Sequence, residues 1–208
     1  MKILFLDVDN TIVPFQPTAE LYKRTLLKQN NIKYIIAAYF MIIILKMFWY
    51  LPRVVEFQRK IIMSLLSSVD RCELEKESEN IVLRVVESYE KGFSRILAQH
   101  KEAGDKVFLL THCPDLISRK IASALKLDGE YSIKIENYFQ TKGRPNNINK
   151  LEILRRIKAN NQDVKIYYFA DDLIDVKCLM FADKGFLVNG SIFTKCICNV
   201  FYKKLIQV

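Results

Sequence analysis

The chain has 208 residues, half of them hydrophobic, with 32 lysines and arginines against 23 acidic residues and a formal net charge of +9. That length buries a substantial core and fits one domain with an insertion, and 6 glycines with 5 prolines exclude a low-complexity chain or a long linker. The five cysteines are odd in number and lack metal spacing, with His100 and His112 the only histidines, which excludes a disulfide scaffold and a zinc site and points to a reducing cytosolic compartment.

The first element is the short apolar run Ile3-Leu4-Phe5-Leu6, which reads as a buried strand and is far too short for a signal peptide. It is followed at once by Asp7-Val8-Asp9-Asn10-Thr11. Two carboxylates then stand at the C-terminal end of a strand, the edge where open α/β sheets bind ligands. Like charges this close raise each other's pKa unless a cation neutralises them. The pair therefore suggests a metal site, a shared proton or a phosphoryl group. Asp and Asn are also ordinary turn residues, so the string alone does not separate chemistry from a plain loop.

Residues 14–92 read as a helical insertion. Apolar residues recur at helical spacing as Leu21, Leu26 and Leu27, as Ile61, Ile62, Leu65 and Leu66, and as Ile81, Val82, Val85 and Val86. Between them the stretch from Tyr34 to Leu51 is nearly all apolar, with Lys46 its single charge. It reaches the lower length limit for a membrane span. A single crossing would put Asp7 and the later acidic motif on opposite sides of a bilayer, so a re-entrant, interfacial or buried helix is expected instead. Between Pro14 and Lys60 eight basic residues stand against Glu20 and Glu56, a local charge of +6. Basic flanks around Tyr34, Tyr39, Trp49 and Tyr50 suit an anionic membrane surface. A cap or dimer helix with a solvated basic rim fits the same pattern. No nucleic-acid motif accompanies the basic residues, so no nucleic-acid partner is expected.

A second apolar run, 107–110, ends at Thr111, with Cys113 expected as a small buried thiol. The stretch from Tyr131 to Lys142 reads as a hairpin. A helical pattern (Leu151, Leu154, Ile157) opens at Lys150, with Asn147 or Asn149 as its N-cap. A third run, 164–170, ends in Asp171, Asp172 and, after two residues, Asp175. If the strands are parallel, their tips gather Asp7, Asp9, Thr111, Asp171 and Asp175 in one crevice that Lys150 reaches. Carboxylates, a hydroxyl and an ammonium together suit Mg²⁺ and a phosphate.

In this order the motifs resemble the haloacid dehalogenase-like hydrolases: D-x-D-x-T at Asp7, Asp9 and Thr11, a Thr at 111, a Lys at 150, and D-x-x-x-D at Asp171 and Asp175. The resemblance spans nearly the whole chain. It implies a three-layer, Rossmann-like, mostly parallel α/β sheet, with residues 1–13 and 93–208 as the core. Residues 14–92 would form a helical cap, as in the phosphoserine-phosphatase-like branch. It further implies Mg²⁺ on Asp7, Asp9 (through its backbone carbonyl) and Asp171, with Asp175 orienting a metal-bound water. Asp7 would be the nucleophile, Asp9 the acid and base, and Thr111 and Lys150 would hold the phosphoryl oxygens. Thr11 joins them on the substrate side and ties the loop together.

Some positions depart from the family pattern. Asn10 stands where Gly is commonest, though Asn tolerates the left-handed conformation. Asp172 competes with Asp171, and Lys142 with Lys150. Gln16 stands where phosphoserine phosphatases place the Glu that binds the substrate amine, and Glu20 is a possible substitute. The apolar, basic insertion is similar to those of phosphatidylglycerophosphatase-type members. The expected activity is Mg²⁺-dependent hydrolysis of a phosphomonoester, with a membrane-proximal lipid phosphate leading and a small soluble metabolite as the alternative. The expected location is cytoplasmic, at or near the inner membrane surface. A phosphorylated receiver module and an inactive scaffold binding membrane or protein are the competing classes. The first is opposed by the insertion and the second by the complete motif set.

Overall fold

The computed structural model describes residues 1–28, 36, 40, 61–62, 66, 69–90, 93–135, 148–189 and 206–207. Lys142, Asn147, Cys196, Cys198 and all of 34–51 except Ile36 and Phe40 lie outside them.

Among the described residues six strands form one parallel sheet: β1 (Lys2–Leu6), β2 (Lys106–Pro114), β3 (Gly129–Ile133), β4 (Lys165–Ala170), β5 (Lys184–Leu187) and β6 (Ile206–Gln207), in the spatial order β3-β2-β1-β4-β5-β6. The chain works outward from β1 on one side, then returns across it to lay down β4. The order therefore reverses between β1 and β4, and the carboxyl ends of those strands frame the crevice of a doubly wound sheet.

Both faces of the sheet are covered, as parallel sheets require. Side chains alternate along a strand, so Leu4, Leu6, Tyr167 and Phe169 join one buried cluster while Ile3, Phe5, Ile166 and Tyr168 join the other. The first cluster is closed by α1 (Pro17–Lys28), α2 (Arg71–Glu90), α3 (Ser94–Glu102) and α4 (Asp115–Ala124), through Leu21, Leu74, Ile81, Val85, Leu97 and Ile117. The second is closed by α5 (Lys150–Asn160) and α6 (Val176–Phe181), through Leu154, Cys178 and Leu179. The three-layer α/β expectation is met. The described ends of the insertion, α1 and α2, pack on the same cluster as Leu4 and Leu6.

Local signals place the helices. Pro17 opens α1, where a missing N–H costs nothing. The Asp70 side chain accepts from the N–H groups of Cys72 (2.9 Å) and Glu73 (3.2 Å) and starts α2. The Asn149 side chain accepts from Glu152 N–H at 3.1 Å and starts α5, deciding in its favour a cap the sequence left open.

Two elements differ from the sequence reading. Strand β2 runs on through Thr111 to Pro114, with its register shifted between Leu110 and Pro114. Tyr131 lies not in a hairpin but in β3, which pairs in parallel with β2. No helix among the described residues is long and apolar enough to cross a membrane.

Because Asn149 holds the first turn of α5, Asn149→Ala should cost about 1 kcal/mol and lower the melting temperature by ~2–4 °C. Thermal denaturation followed by circular dichroism checks this.

Candidate active site

The crevice is built from the tips of β1, β2 and β4 and the start of α5. Asp7 N–H donates to the Phe169 carbonyl at 2.9 Å, carrying the β1–β4 pairing one residue past β1. Val8 N–H donates to Asp7 Oδ1 at 2.9 Å and fixes the carboxylate at the sheet edge. The chain then turns tightly. Asn10 adopts φ +54°, the left-handed conformation expected of a residue at a glycine-preferring position. Its N–H donates to the Phe15 carbonyl at 3.1 Å, and its carbonyl accepts from Asn189 Nδ2 at 3.3 Å. Thr11 N–H closes back on the Val8 carbonyl at 3.3 Å.

Lys150, in the first turn of α5, is only 4% exposed. Its ammonium lies 3.2 Å from Asp7 Oδ1 and donates to Asp175 Oδ2 at 2.6 Å. The structure thus joins three residues from three of the four predicted motifs. Thr111 is fully buried near the β1 tip, and its hydroxyl accepts from Cys113 N–H at 3.1 Å. Asp171 and Asp172 follow β4, both half-buried.

Electrostatics show strain between these groups. Burial, then the Asp7 and Asp172 charges, push Asp171 up to about 7, against a hydrogen bond from the Asn10 side chain that holds it down. Asp175 is raised to about 6 by burial and by Asp7, while Lys150 and the Tyr168 hydroxyl pull it the other way. The thiols beside the site are inert: burial and then Asp175 push Cys178 up to about 12, and burial raises Cys113 well above its ordinary value.

A carboxylate raised this far marks a crevice short of positive charge, which a divalent cation would supply. The donor set is all oxygen, the preference of a hard ion. Among the described residues no group of three or more His, Cys, Asp or Glu side chains is placed to hold a metal ion. An ion held by two carboxylates and a backbone carbonyl, with water completing its shell, needs no such group.

Glu20, the substitute for an amine-binding glutamate, is not turned to the crevice as a lone acceptor. It binds Arg24 Nε at 3.0 Å and Arg84 at 2.8 Å, and the Arg84 guanidinium stacks 4.9 Å over Phe15. Sequence reasoning missed Asn189, which reaches the Asn10 carbonyl from beyond the tip of β5. Its only sequence signal was an Asn after an apolar run.

Together the fold and site define an α/β enzyme that gathers carboxylates around one buried lysine at the switch point of a parallel sheet. The chain belongs to the haloacid dehalogenase-like hydrolases, whose sequence model matches residues 4–180. No curated protein sequence matches it. Among solved structures, a protein of unknown function from Bordetella pertussis Tohama I has a TM-score of 0.78 at 16% identity, covering 100% of this chain and 97% of that one. A phosphoserine phosphatase in apo form has a TM-score of 0.65 at 16% identity, covering 100% and 92%. A HAD family hydrolase from Salmonella enterica serovar Typhi has a TM-score of 0.67 at 15% identity, covering 100% and 67%. At such identities the likeness is one of fold.

The raised Asp171 makes a stability prediction. A carboxyl whose folded value is about 7 and whose ordinary value is 3.8 stabilises the fold fully below 3.8, and that contribution is lost as pH rises through 7. In chelator, Asp171→Asn should therefore melt above wild type at pH 8 by more than ~2 °C. The gap should narrow steadily toward pH 4. A gap independent of pH would show that Asp171 is not destabilised by its surroundings.

Proposed function

We propose that this chain is a Mg²⁺-dependent phosphatase that hydrolyses a phosphomonoester through an aspartyl-phosphate. One observation carries the reading: the buried Lys150 ammonium, 3.2 Å from Asp7 and 2.6 Å from Asp175. A fixed positive charge there faces the Asp7 carboxylate and meets the oxygens of an arriving phosphoryl group.

In this reading Asp7 attacks phosphorus while Asp9 gives a proton to the departing oxygen. Water then cleaves the Asp7–phosphate ester as Asp9 takes its proton back. Thr111 and Lys150 hold the phosphoryl oxygens, and Thr11 keeps the loop beneath them closed. The side chains of Asp7 and Asp171 and the Asp9 carbonyl would hold Mg²⁺, with Asp175 orienting a bound water. Bound there, the ion offsets the crowded carboxylates and polarises the phosphoryl group. Residues 14–92 serve as the cap that selects the leaving group.

The leading substrate class is a membrane-proximal lipid phosphate, which would bring the enzyme to the cytoplasmic face of a membrane. Two observations support it. Glu20 already binds two arginines, so it is a poor acceptor for a substrate amine. Ile36 and Phe40, one helical turn apart, are 64% and 63% exposed. A small soluble phosphometabolite is the second reading, favoured by the fold shared with phosphoserine phosphatases.

With Mg²⁺ and an aryl phosphate, wild type should release phosphate, and Asp7→Asn should fall to background. Asp9→Asn should lose roughly 10²–10⁴-fold in kcat. It should still release one equivalent of phenolate, because an aryl leaving group needs little protonation and the second step stalls. Absence of Asp7-dependent turnover across a phosphoester panel would favour the inactive scaffold.

Vesicle flotation tests the lipid reading separately. The protein should float with vesicles containing anionic lipid and not with neutral ones. Failure to float with either removes the membrane surface and leaves the soluble substrate.

A further inference from the structure

Asn189 is the second residue past β5, and it reaches back along the sheet edge to the loop after β1. Val188 N–H donates to the Ala170 carbonyl at 2.9 Å, so the β4–β5 pairing runs one residue beyond β5. Asn189 then turns the chain with φ +52°, the left-handed conformation that asparagine tolerates better than most residues. Its Nδ2 donates to the Asn10 carbonyl at 3.3 Å, across 179 residues of sequence. Asn10 is itself left-handed, at φ +54°. That conformation is disfavoured for a residue with a Cβ, yet both backbone groups of Asn10 are tied in it. Its N–H donates to the Phe15 carbonyl at 3.1 Å, and its carbonyl takes the Asn189 amide. Asn189 is exposed, so water would satisfy its amide equally well. The bond therefore adds little to overall stability, and what it fixes is local.

We propose that Asn189 is a positioning residue of the nucleophile loop: its amide holds the Asn10 carbonyl and so fixes the direction in which the chain leaves Asp9. The Asp9–Asn10 peptide carries the carbonyl assigned above to the ion, and φ of Asn10 is the first rotation that follows it. Phe15 holds the peptide on one side of Asn10 and Asn189 holds the peptide on the other. Neither peptide turns without breaking a hydrogen bond. Phe15 comes from the start of the insertion and Asn189 from beyond β5, so the two holds are separate. The kinetic consequence rests on the phosphatase reading; the structural one does not.

Glycine adopts φ +52° without penalty, so Asn189→Gly removes the hydrogen bond and leaves the backbone in place. Its melting temperature should stay within ~2 °C of wild type. In amide hydrogen exchange followed by NMR in chelator, Asn10 and Thr11 should exchange about tenfold faster in Asn189→Gly, while Leu4 and Phe5 in β1 stay as protected as in wild type. On an aryl phosphate with Mg²⁺, kcat should fall about three- to tenfold, the scale of one hydrogen bond, with KM changed less than about twofold. Asn189→Asp, which keeps the shape and loses the donor, should do no better than Asn189→Gly. Exchange at Asn10 and Thr11 unchanged in Asn189→Gly overturns the inference, whether or not the protein turns over. So does a kcat in Asn189→Gly equal to wild type, or a wild-type kcat in Asn189→Asp. Absence of turnover in wild type strikes at the phosphatase reading instead, and the exchange rates still decide whether Asn189 holds the loop.

Discussion

The site depends on a buried lysine met by two carboxylates. Removing an ammonium from water is expensive unless opposite charge meets it at close range. Lys150 is met twice, by Asp7 at 3.2 Å and Asp175 at 2.6 Å. Each contact constrains the architecture. Asp7 must sit at the tip of β1, Asp175 must come one turn after β4, and α5 must begin under both. Only a sheet in which β4 lies directly against β1 meets all three conditions, and the observed order β2-β1-β4 provides it. The Asn149 cap then sets where α5 starts, and so where its first side chain emerges.

The same crevice carries more acid than Lys150 can balance. Asp171 shows this, pushed up to about 7 by burial and then by the Asp7 and Asp172 charges. The local backbone tolerates the crowding because it is tied from several directions. Asn10 takes a left-handed conformation, anchors to Phe15 and Asn189, and turns its side chain toward Asp171. An ordinary turn would need few of these ties. Their number suits a loop that must hold carboxylates together against their repulsion.

Much of this was readable from residue order alone. Apolar runs ending in acids or threonine marked β1 and β4, because a strand buried on both faces is a continuous hydrophobic run. Asn147 or Asn149 before Leu151 and Leu154 marked α5, and the structure chose Asn149. Other features were hidden for physical reasons. Thr111 to Pro114 looks like a loop by composition, yet the strand continues through it with a register shift that local propensity does not encode. Tyr131 was misread because alternation reveals a strand, not the direction of its partner. Helical spacing identified Ile81, Val82 and Val85 as one face, but not that the face would meet Leu4 and Leu6. The fate of Glu20 depended on Arg84, 64 residues away. Asn189 was invisible because its partner, Asn10, lies 179 residues away.

The start of the insertion and the loop after Asp7 are tied by direct contacts. Val13 bridges to Asp9, and Phe15 receives the N–H of Asn10, so the loop leaves the active site and enters α1 without slack. Phe15 also lies under Arg84 of α2, whose guanidinium reaches Glu20 of α1. The two described ends of the insertion are therefore joined to each other and to the residue beside Asp9. A displacement of α1 against α2 would strain the Arg84–Glu20–Phe15 contact before it reached solvent. Phe15 in turn accepts the Asn10 N–H at 3.1 Å. The insertion and the acidic crevice thus meet through a few short contacts around the first turn after β1.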